Sequence, residues 1–374
     1  MFLFYLVLLV DTILLQPLRC IIGFALRFCW HPPKGVKPGP GRNLSELTAI
    51  AQERLKTLSR AVYGQGGDSA KFMGMLYYAT GSLAEWLNIM KLVQPDGSLR
   101  RNLKDPYPDD SVPFSGDMLS GFLLAVLRRL PDLTDDERER LTKVWERSTW
   151  EGFPLLIAHP TEGKKVFARG HIWRPWWIMG SEDILGALAW LYLGYKITGK
   201  KRYLFAYYSM MVLQAPSLVL GCPDAQIWIG NVYGIAAHNT HSGALIFYVG
   251  HSLTGNVLFR MALKQSYRRH GWYNADISIL AGSAIGADYK ETALALVSDA
   301  VDKGKYPCPQ DRKYLSLIWP PEWVIRSGKF ELPSSRGGDY IWERNPIKGD
   351  VLSDEYRAEK GLDVIFPVGV LKVY

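Results

Sequence analysis

Cysteine is scarce in this chain of 374 residues, which contains only four: Cys20, Cys29, Cys222 and Cys308. None of them forms a CxxC pair, and their spacings match no zinc ribbon or zinc finger. A chain of this length also needs no disulfide scaffold. The sequence therefore indicates neither a zinc-held nor a disulfide-held fold, and it leaves the redox compartment open.

Dense basic tracts are missing as well, although Lys and Arg (44) outnumber Asp and Glu (36) and the net charge is +8. Nucleic-acid-binding domains concentrate their basic residues on one face or in one segment. We therefore expect no nucleic-acid partner. The moderate positive excess is compatible with an anionic ligand or an anionic membrane surface.

Several motifs of common enzyme classes are absent. The chain has no GxGxxG or P-loop pattern, which argues against nucleotide cofactors, and no HExxH zinc motif. It also lacks the GxSxG motif of serine hydrolases. We therefore expect neither a cofactor nor a bound metal, and the sequence leaves the oligomeric state open.

Aromatic residues, by contrast, are abundant: they make up 13% of the chain, with 13 Trp and 20 Tyr. The hydrophobic fraction of 48% and the charged fraction of 21% are ordinary for a globular protein and exclude wholesale disorder. Aromatic side chains beyond the needs of a core often line a binding groove.

Residues 1–30 are predominantly apolar, with Asp11 and Arg27 as interruptions. The segment has neither the basic start nor the small-residue cleavage site of a signal peptide. We expect it to bind membrane lipid, as an imperfect single span or as a helix in the interface; an apolar helix docked on the domain is the alternative. The positive-inside rule would leave the body on the cytoplasmic side, but the uncertain span leaves the side of the membrane open.

Residues 31–43 are rich in Pro and Gly and predict a linker, because both residues prevent a helix from continuing. The domain then spans residues 44–374, and its apolar periodicity is mostly helical, with few strand signals before residue 305. Thr134–Glu137 has the pattern of a capping box that opens a helix. The sequence therefore predicts an all-α domain.

An internal repeat predicts how the helices are arranged. A long apolar helix ends in Thr-Gly at residues 80–81, 198–199 and 254–255, where each glycine is placed to cap the helix at positive φ. The glycines are 118 and 56 residues apart, so we expect a further hairpin between the first two, turning at Pro131–Asp132. A period of about 55–60 residues leaves room for roughly six hairpins. Because the first helix of each pair is apolar nearly all round, the hairpins are expected to close into an (α/α)6-type toroid.

Four segments carry a resemblance to known proteins: DSAKFMGMLYYATG, GSEDILGALAWLYLGYKITGKKRYLFAY, HNTHSGALIFYVGHSLTG and GLDVIFPVGVLKVY. In hairpin period and texture, residues 45–374 resemble the α/α-toroid (six-hairpin) superfamily of glycoside hydrolases and polysaccharide lyases. The resemblance implies a toroid fold and the cleavage of glycosidic bonds. These segments are architectural, so no family within the superfamily is assigned.

Polar residues recur at the start of the expected inner helices, whose N-termini surround one mouth of a toroid. They are Asp68, Asp117, Asp183, Asn239, and Asn274 with Asp276. Each of them alone could simply cap its helix, because Asp and Asn satisfy the first amides and suit the helix dipole. Their joint occurrence predicts a functional site at this rim.

The richest helix start is Ala237–Ser242, where His238 and His241 share a face and Asn239 lies between them. A zinc site would need a third ligand from elsewhere, and a pair of hydrogen-bonded rim histidines is a further alternative. Toroid lyases use an Asn to neutralise a uronate carboxylate and a His or Tyr to remove the proton. The residue types fit that chemistry, although the NTH of this chain departs from the NNH of alginate lyases.

Two loops are candidates for substrate binding. The first contains Arg169, His171, Trp173, Arg174, Trp176 and Trp177. Indoles stack on sugar faces, and guanidinium groups bind carboxylate or phosphate; alternatively, these tryptophans cover the hairpin ends. The second loop contains Tyr340, Glu343 and Arg344 and precedes Asp363. Glu343 and Arg344 could instead pair with each other.

We assign His238 and Asp276 to substrate binding. Two chemistries suit the candidate residues as a whole. Hydrolysis needs two carboxyl groups, for which we choose Asp117 facing Asp183 or Glu182, with Asp276 as a further candidate. A lyase needs a base and a group that neutralises the uronate, which His241, Asn239, Arg169 and Tyr233 could supply. A non-enzymatic module that binds a glycan or lipid, or a scaffold, is the third alternative. The sequence thus predicts a membrane-associated glycoside hydrolase whose substrate is a glycan, expected to be anionic.

Overall fold

The structure is a computed structural model that describes residues 2–29, 41–58, 69–100, 103, 116–148, 181–220, 237–267, 271, 274–303 and 362–373. These residues form fourteen α-helices and one short 3-10 helix. They contain no β-strand, only an isolated bridge between Val93 and Leu99. The all-α prediction is therefore confirmed for the described part of the chain.

Several pairs of consecutive helices are joined by short turns into hairpins. The first six are α1 (Phe2–Cys29), α2 (Leu44–Thr57), α3 (Ser69–Thr80), α4 (Leu83–Leu92), α5 (Gly116–Arg129) and α6 (Asp135–Ser148), with the 3-10 helix Leu130–Asp132 between α5 and α6. The others are α7 (Ser181–Thr198), α8 (Lys201–Leu213), α9 (Ala215–Leu220), α10 (Ala237–Thr254), α11 (Val257–Ser266), α12 (Ala275–Ile285), α13 (Ala287–Lys303) and α14 (Leu362–Val373). The predicted turn at Pro131–Asp132 is thus the 3-10 helix.

The predicted Thr-Gly caps are confirmed at three hairpins. Gly81, Gly199 and Gly255 have φ angles of 68°, 67° and 65°, and each N–H donates to the carbonyl four residues earlier. The threonine before each glycine has a second use. Its hydroxyl donates to the carbonyl four residues before it and accepts from the N–H two residues after it. The same local chemistry therefore ends three helices and leads into the next one.

The capping box at the start of α6 is also confirmed. The Thr134 N–H donates to the Glu137 carboxylate at 3.0 Å, and the Glu137 N–H donates to the Thr134 hydroxyl at 3.3 Å. Two side chains from outside α6, the Trp86 indole and the Arg129 guanidinium, also donate to this carboxylate. Burial alone would raise the pKa of Glu137, but these hydrogen bonds and the Arg129 charge outweigh it and hold the pKa below its usual value.

We expect Glu137→Gln to lower the free energy of unfolding at pH 7 by about 1–3 kcal/mol, because it removes hydrogen bonds to a charged group. The pKa of Glu137 is lower in the folded state than in the unfolded chain. Its contribution is therefore fully present above the unfolded-state pKa and is lost as the pH falls through the folded-state pKa. Urea unfolding followed by circular dichroism should show a gap between wild type and variant that closes on acidification.

The matched control is Glu139→Gln, because Glu139 lies on the same helix but is exposed and bonds to Lys143 on the helix surface. We expect this variant to change stability much less than Glu137→Gln, since exposed ion pairs contribute little. A gap between wild type and Glu137→Gln that stayed constant down to acid pH would contradict a role for the carboxylate charge.

Five helices form a closed cycle at the centre of the body: α3, α5, α10, α12 and α14, with α14 packed back against α3. Contacts between residues at similar positions along these helices show how the helices run relative to one another. Lys71 meets Ser242 near the starts of α3 and α10, and Tyr78 meets Tyr248 further along both helices. Arg128 near the end of α5 donates to the carbonyl of Tyr78 near the end of α3. Helices α3, α5 and α10 are therefore parallel.

The remaining two members of the cycle have the same direction. His241 near the start of α10 meets Asp276 near the start of α12. Phe366 of α14 packs near Tyr78 of α3, and Gly369, three residues later, lies against Ala79. All five helices therefore begin at one end of the cycle, which we call the amino end.

The second helices of the hairpins lie outside the cycle. Helix α4 packs on α3, α11 packs on α10 and α12, and α13 packs on α12 and α14. Helix α2 packs on α14 and α13. For these helix pairs, the inner and outer positions are those that their apolar and amphipathic patterns predict, whereas the predicted closure of six hairpins into a toroid is not confirmed.

Helix α7 lies beside the cycle. It packs against α10, α6 and α8, whereas α5 and α10 contact each other directly. Trp145 of α6 stacks on Trp190 of α7 with 4.1 Å between ring centroids, and Arg138 donates to the carbonyls of Lys196 and Ile197. These contacts make α6 and α7 antiparallel, so α7 runs in the same direction as α5. A ring of six inner helices would instead have placed α7 between α5 and α10.

Two glycines allow α3 and α5 to approach closely. A methyl group on Gly74 would overlap the carbonyl oxygen of Gly121, and a methyl group on Gly121 would overlap the backbone of Lys71. The two helices therefore touch backbone to backbone, which any larger residue at either position would prevent.

Helix α1 lies along the body and packs against α8 and α9. The Asp11 carboxylate accepts two hydrogen bonds from the Arg19 guanidinium, and Gln214 bonds to both side chains. No helix in the described part of the chain is long and apolar enough to cross a membrane. The prediction of a single span is therefore not supported, because Asp11, Gln16 and Arg19 interrupt the apolar run.

Candidate functional site

Buried polar side chains collect near the amino end of the cycle. Helix by helix, they are Ser69 and Lys71 on α3, Ser120 on α5, His241 and Ser242 on α10, and Asn274, Asp276 and Ser278 at the start of α12. Deeper in the cycle the facing residues are aromatic: the hydroxyls of Tyr78 and Tyr248 are 2.7 Å apart, and Phe366 packs beside them. The interior therefore has a polar layer near the amino end and an aromatic layer below it.

His241 and Asp276 form the first pair of the polar layer. His241 Nε2 lies 2.8 Å from Asp276 Oδ2, and both side chains are 0% exposed. A carboxylate in this position fixes the orientation of the imidazole and stabilises its protonated form. Asp276 also lies in the first turn of α12, where the helix dipole favours a negative charge. Because both side chains are fully buried, neither is accessible to a polymer in this structure.

Lys71 and Ser242 form the second pair. The Lys71 ammonium donates to the Ser242 hydroxyl at 2.8 Å, and Lys71 is 0% exposed. A buried ammonium group is costly unless polar partners surround it. Since Ser242 follows His241 directly, one turn of α10 links a cation on α3 with a carboxylate on α12. Opposite charges therefore lie on the two sides of α10.

The start of α12 shows which polar residues cap a helix and which do not. The Asn274 side-chain oxygen accepts from the Ile277 N–H at 3.1 Å, so Asn274 is an N-cap, as the capping alternative predicts. Its Nδ2 is buried and has no hydrogen-bond partner within the described residues. Asp276 instead directs Oδ2 at His241. Capping therefore explains Asn274 but does not account for the contact of Asp276.

The other predicted residues on helices all lie in first turns. They are Asp117 on α5, Glu182 and Asp183 on α7, His238 and Asn239 on α10, and Asp363 on α14. Helices α5, α10 and α14 begin at the amino end of the cycle, and α7 is parallel to α5. The side chains of these residues lie outside the described part of the structure, so their mutual distances stay predictions.

The two predicted substrate loops fall outside the described residues, as do Asp68 and Tyr233. This applies to Arg169, His171, Trp173, Arg174, Trp176 and Trp177 of the first loop, and to Tyr340, Glu343 and Arg344 of the second. Their assignment to substrate binding stays a prediction.

Lys71 and Ser242 are polar-layer residues that sequence reasoning did not select. The available signal was a single cation within the apolar run from Ser69 to Tyr78, which makes a buried, paired lysine a reasonable expectation. Ser242 carried no signal of its own, because its role depends on where α3 places Lys71.

Within the described residues, no group of three or more His, Cys, Asp and Glu side chains is placed to hold a metal ion. His241 is directed instead at a single carboxylate. No family model, no curated protein and no solved structure matches this chain.

Proposed function

We propose that this protein is a toroid-type α/α enzyme that hydrolyses glycosidic bonds of an anionic glycan. One observation supports it above all: five parallel helices close a cycle, and candidate catalytic and binding residues lie in the first helical turns at its amino end. Because parallel N-termini combine their dipoles, this end suits ionised carboxylates and other anions. In this proposal, the direct contact between α5 and α10 would make the fold a variant of the six-hairpin arrangement.

In this proposal, Asp117 on α5 and Asp183 or Glu182 on α7 are the two carboxyl groups. Glycoside hydrolysis needs one protonated carboxylic acid for the leaving oxygen and one carboxylate that acts as base or nucleophile. Both helices begin at the same end because α6 is antiparallel to each of them. The buried His241–Asp276 pair would support the floor beneath these residues rather than contact the sugar.

The positive charge of the protein supports the proposal that its substrate is anionic. The chain carries a net charge of +8, and Lys71 provides a buried cation in the polar layer. A positive potential raises the local concentration of an anionic ligand. The loop with Arg169 and Arg174 would add groups that bind carboxylates.

A polysaccharide lyase is the second candidate, favoured by the contact of His241 with Asp276 at 2.8 Å. A carboxylate that orients an imidazole also stabilises the imidazolium formed when the base takes a proton. Asn239, two residues earlier on α10, would neutralise the uronate. We rank hydrolysis first because His241 is fully buried, and a base must reach the proton that it removes.

The test uses the full chain on a panel of acidic and neutral polysaccharides, with reducing ends and absorbance near 235 nm as readouts. New reducing ends without the absorbance indicate hydrolysis, and both signals together indicate a lyase. We expect Asp117→Asn and Asp183→Asn to lower the hydrolytic rate by about 10²–10⁴-fold, as expected for loss of an acid or base.

Asp135→Asn is the matched control, because Asp135 is also a first-turn acid but lies at the start of α6, at the opposite end of the body. It should leave the rate unchanged. Absence of products from every glycan, with circular dichroism like that of a folded helical protein, would contradict the enzymatic proposal. Retained glycan binding in that case would indicate a binding module.

A further inference from the structure

Helix α1 buries polar side chains and exposes apolar ones, which is the reverse of what a surface helix in water normally does. Its polar residues Asp11, Gln16 and Arg19 are buried against the body. Its exposed residues are large and apolar: Phe2, Leu6, Leu9, Val10, Ile13, Leu14, Leu18, Ile21 and Phe24. A surface helix in water normally buries its apolar stripe and exposes its polar one. The outer face of α1 is therefore built for an apolar environment.

Specific polar contacts hold α1 in this orientation. Arg19 forms an ion pair with Asp11 in which the side chains are 3% and 1% exposed. Gln214, at the junction of α8 and α9, donates to Asp11 and accepts from Arg19. The Gln16 amide donates to the Leu213 carbonyl at 2.7 Å. Rotating α1 to bury its apolar face would break all of these contacts.

The apolar surface continues onto the neighbouring helices. On α8, Phe205, Tyr208 and Val212 are 59%, 49% and 67% exposed, and their spacing places them along one face. Tyr5 of α1 contacts Phe205 edge to face, with 5.8 Å between ring centroids, so this face is adjacent to α1. Val219 extends it onto α9. Three helices thus contribute to one exposed apolar surface, which we call the α1–α8–α9 surface.

The exposed charge on the described residues of these three helices is positive. Asp11 is the only acidic residue in α1, α8 and α9, and it is buried in its ion pair with Arg19. Lys201 is exposed and lies four residues before Phe205, on the same face of α8. An apolar surface with an exposed lysine at its edge, and with no exposed acid on α1, α8 or α9 among the described residues, is complementary to an anionic bilayer.

We propose that the α1–α8–α9 surface inserts into the boundary between headgroups and acyl chains of an anionic lipid bilayer, with α1 parallel to the membrane plane. The Tyr5–Phe205 contact and the Arg19–Asp11–Gln214 contacts keep α1 against the body over most of its length. The α8 and α9 residues then enter the same leaflet as α1. This inference does not depend on the enzymatic activity proposed above.

The test is flotation of the full-length protein with vesicles of phosphatidylcholine alone or mixed with phosphatidylglycerol. We expect the wild type to float with both, and more strongly with the anionic vesicles. Phe205→Ser combined with Val212→Ser should weaken the partition coefficient by at least about tenfold, because two apolar side chains no longer leave water. Lys201→Glu should weaken binding to the anionic vesicles alone.

The matched control is Leu83→Ser with Leu87→Ser, since these α4 residues are 54% and 51% exposed but lie outside the α1–α8–α9 surface. This variant should float like the wild type. The proposal is overturned if the wild type stays in solution, including the case in which sedimentation shows a dimer that shelters the surface. It is also overturned if the α8 double variant floats like the wild type, because α1 alone would then bind the lipid.

Discussion

Gly121→Ala is expected to destabilise the central cycle by about 3 kcal/mol or more, a cost at the upper end of those for overpacked sites. A methyl group at this position overlaps the carbonyl oxygen and Cα of Lys71, which are backbone atoms that no side-chain rotation can move away. Helices α3 and α5 would have to separate, and the contact that closes one side of the cycle would be lost. Urea unfolding of the variant and the wild type measures the loss.

Gly199→Ala provides the control for the backbone effect of removing a glycine. Gly199 has a φ of 67° but no atom close to where a methyl group would lie, so its replacement costs only the positive-φ strain, about 1–2 kcal/mol. Gly74→Ala should match Gly121→Ala, because Gly74 faces the same crossing from α3. If Gly121→Ala cost no more than Gly199→Ala, the close approach of α3 and α5 would be wrong.

Asp11→Ala is expected to lower the free energy of unfolding by about 3–5 kcal/mol, the usual cost of leaving one partner of a buried ion pair alone. Arg19 is 3% exposed in its side chain and would lose both of its bonds to the carboxylate. Urea unfolding measures the loss, and limited proteolysis between α1 and α2 reports whether α1 leaves the body first.

The double variant Asp11→Ala, Arg19→Met distinguishes the charge from the shape of α1. Removing both charges should recover most of the loss, since an apolar pair of similar volume is often as stable as a buried ion pair. Gln214 keeps its bond to Thr12 in this variant. The control is Glu53→Ala, which breaks an exposed ion pair with Lys56 and should change stability little. A single variant as stable as the wild type would show that the pair does not hold α1.

Local features of the fold were predictable from the sequence because their partners lie within four residues. The Thr-Gly caps bond the carbonyl four residues earlier, and the capping box joins Thr134 to Glu137. Such contacts form wherever the chain is helical, whatever surrounds it. The additional bonds of Glu137 to Trp86 and Arg129 needed the packing of three helices and left no pattern in the sequence.

The polar layer was predictable only in part. The helix starts predict His241 and Asp276 as separate groups, because the two positions are 35 residues apart in the sequence. The structure pairs and buries them, which removes them from direct contact with a polymer. Lys71 and Ser242 are 171 residues apart, and no sequence pattern predicts their contact. Pairs at such separations depend on the order in which helices close the cycle.

Helix α1 shows the same limit. In the sequence, Asp11 interrupts an apolar segment and argues against a membrane span. In the structure, Asp11 is the centre of a buried network that includes Arg19, eight residues later, and Gln214, at a separation of 203 residues. Which face of α1 is polar follows from the sequence, but which face is buried does not.

The sequence by itself determined the all-α class, the hairpin turns and the amphipathic or apolar character of each helix, since these follow from residue periodicity and from bonds within one turn. Only the tertiary structure decided that five helices close a cycle, that α7 lies beside it, and that His241 meets Asp276 and Lys71 meets Ser242. These outcomes depend on which surfaces pack together, and glycine contacts such as Gly74 with Gly121 determine how closely they pack. Close packing is a property of two surfaces together, so neither helix alone encodes it.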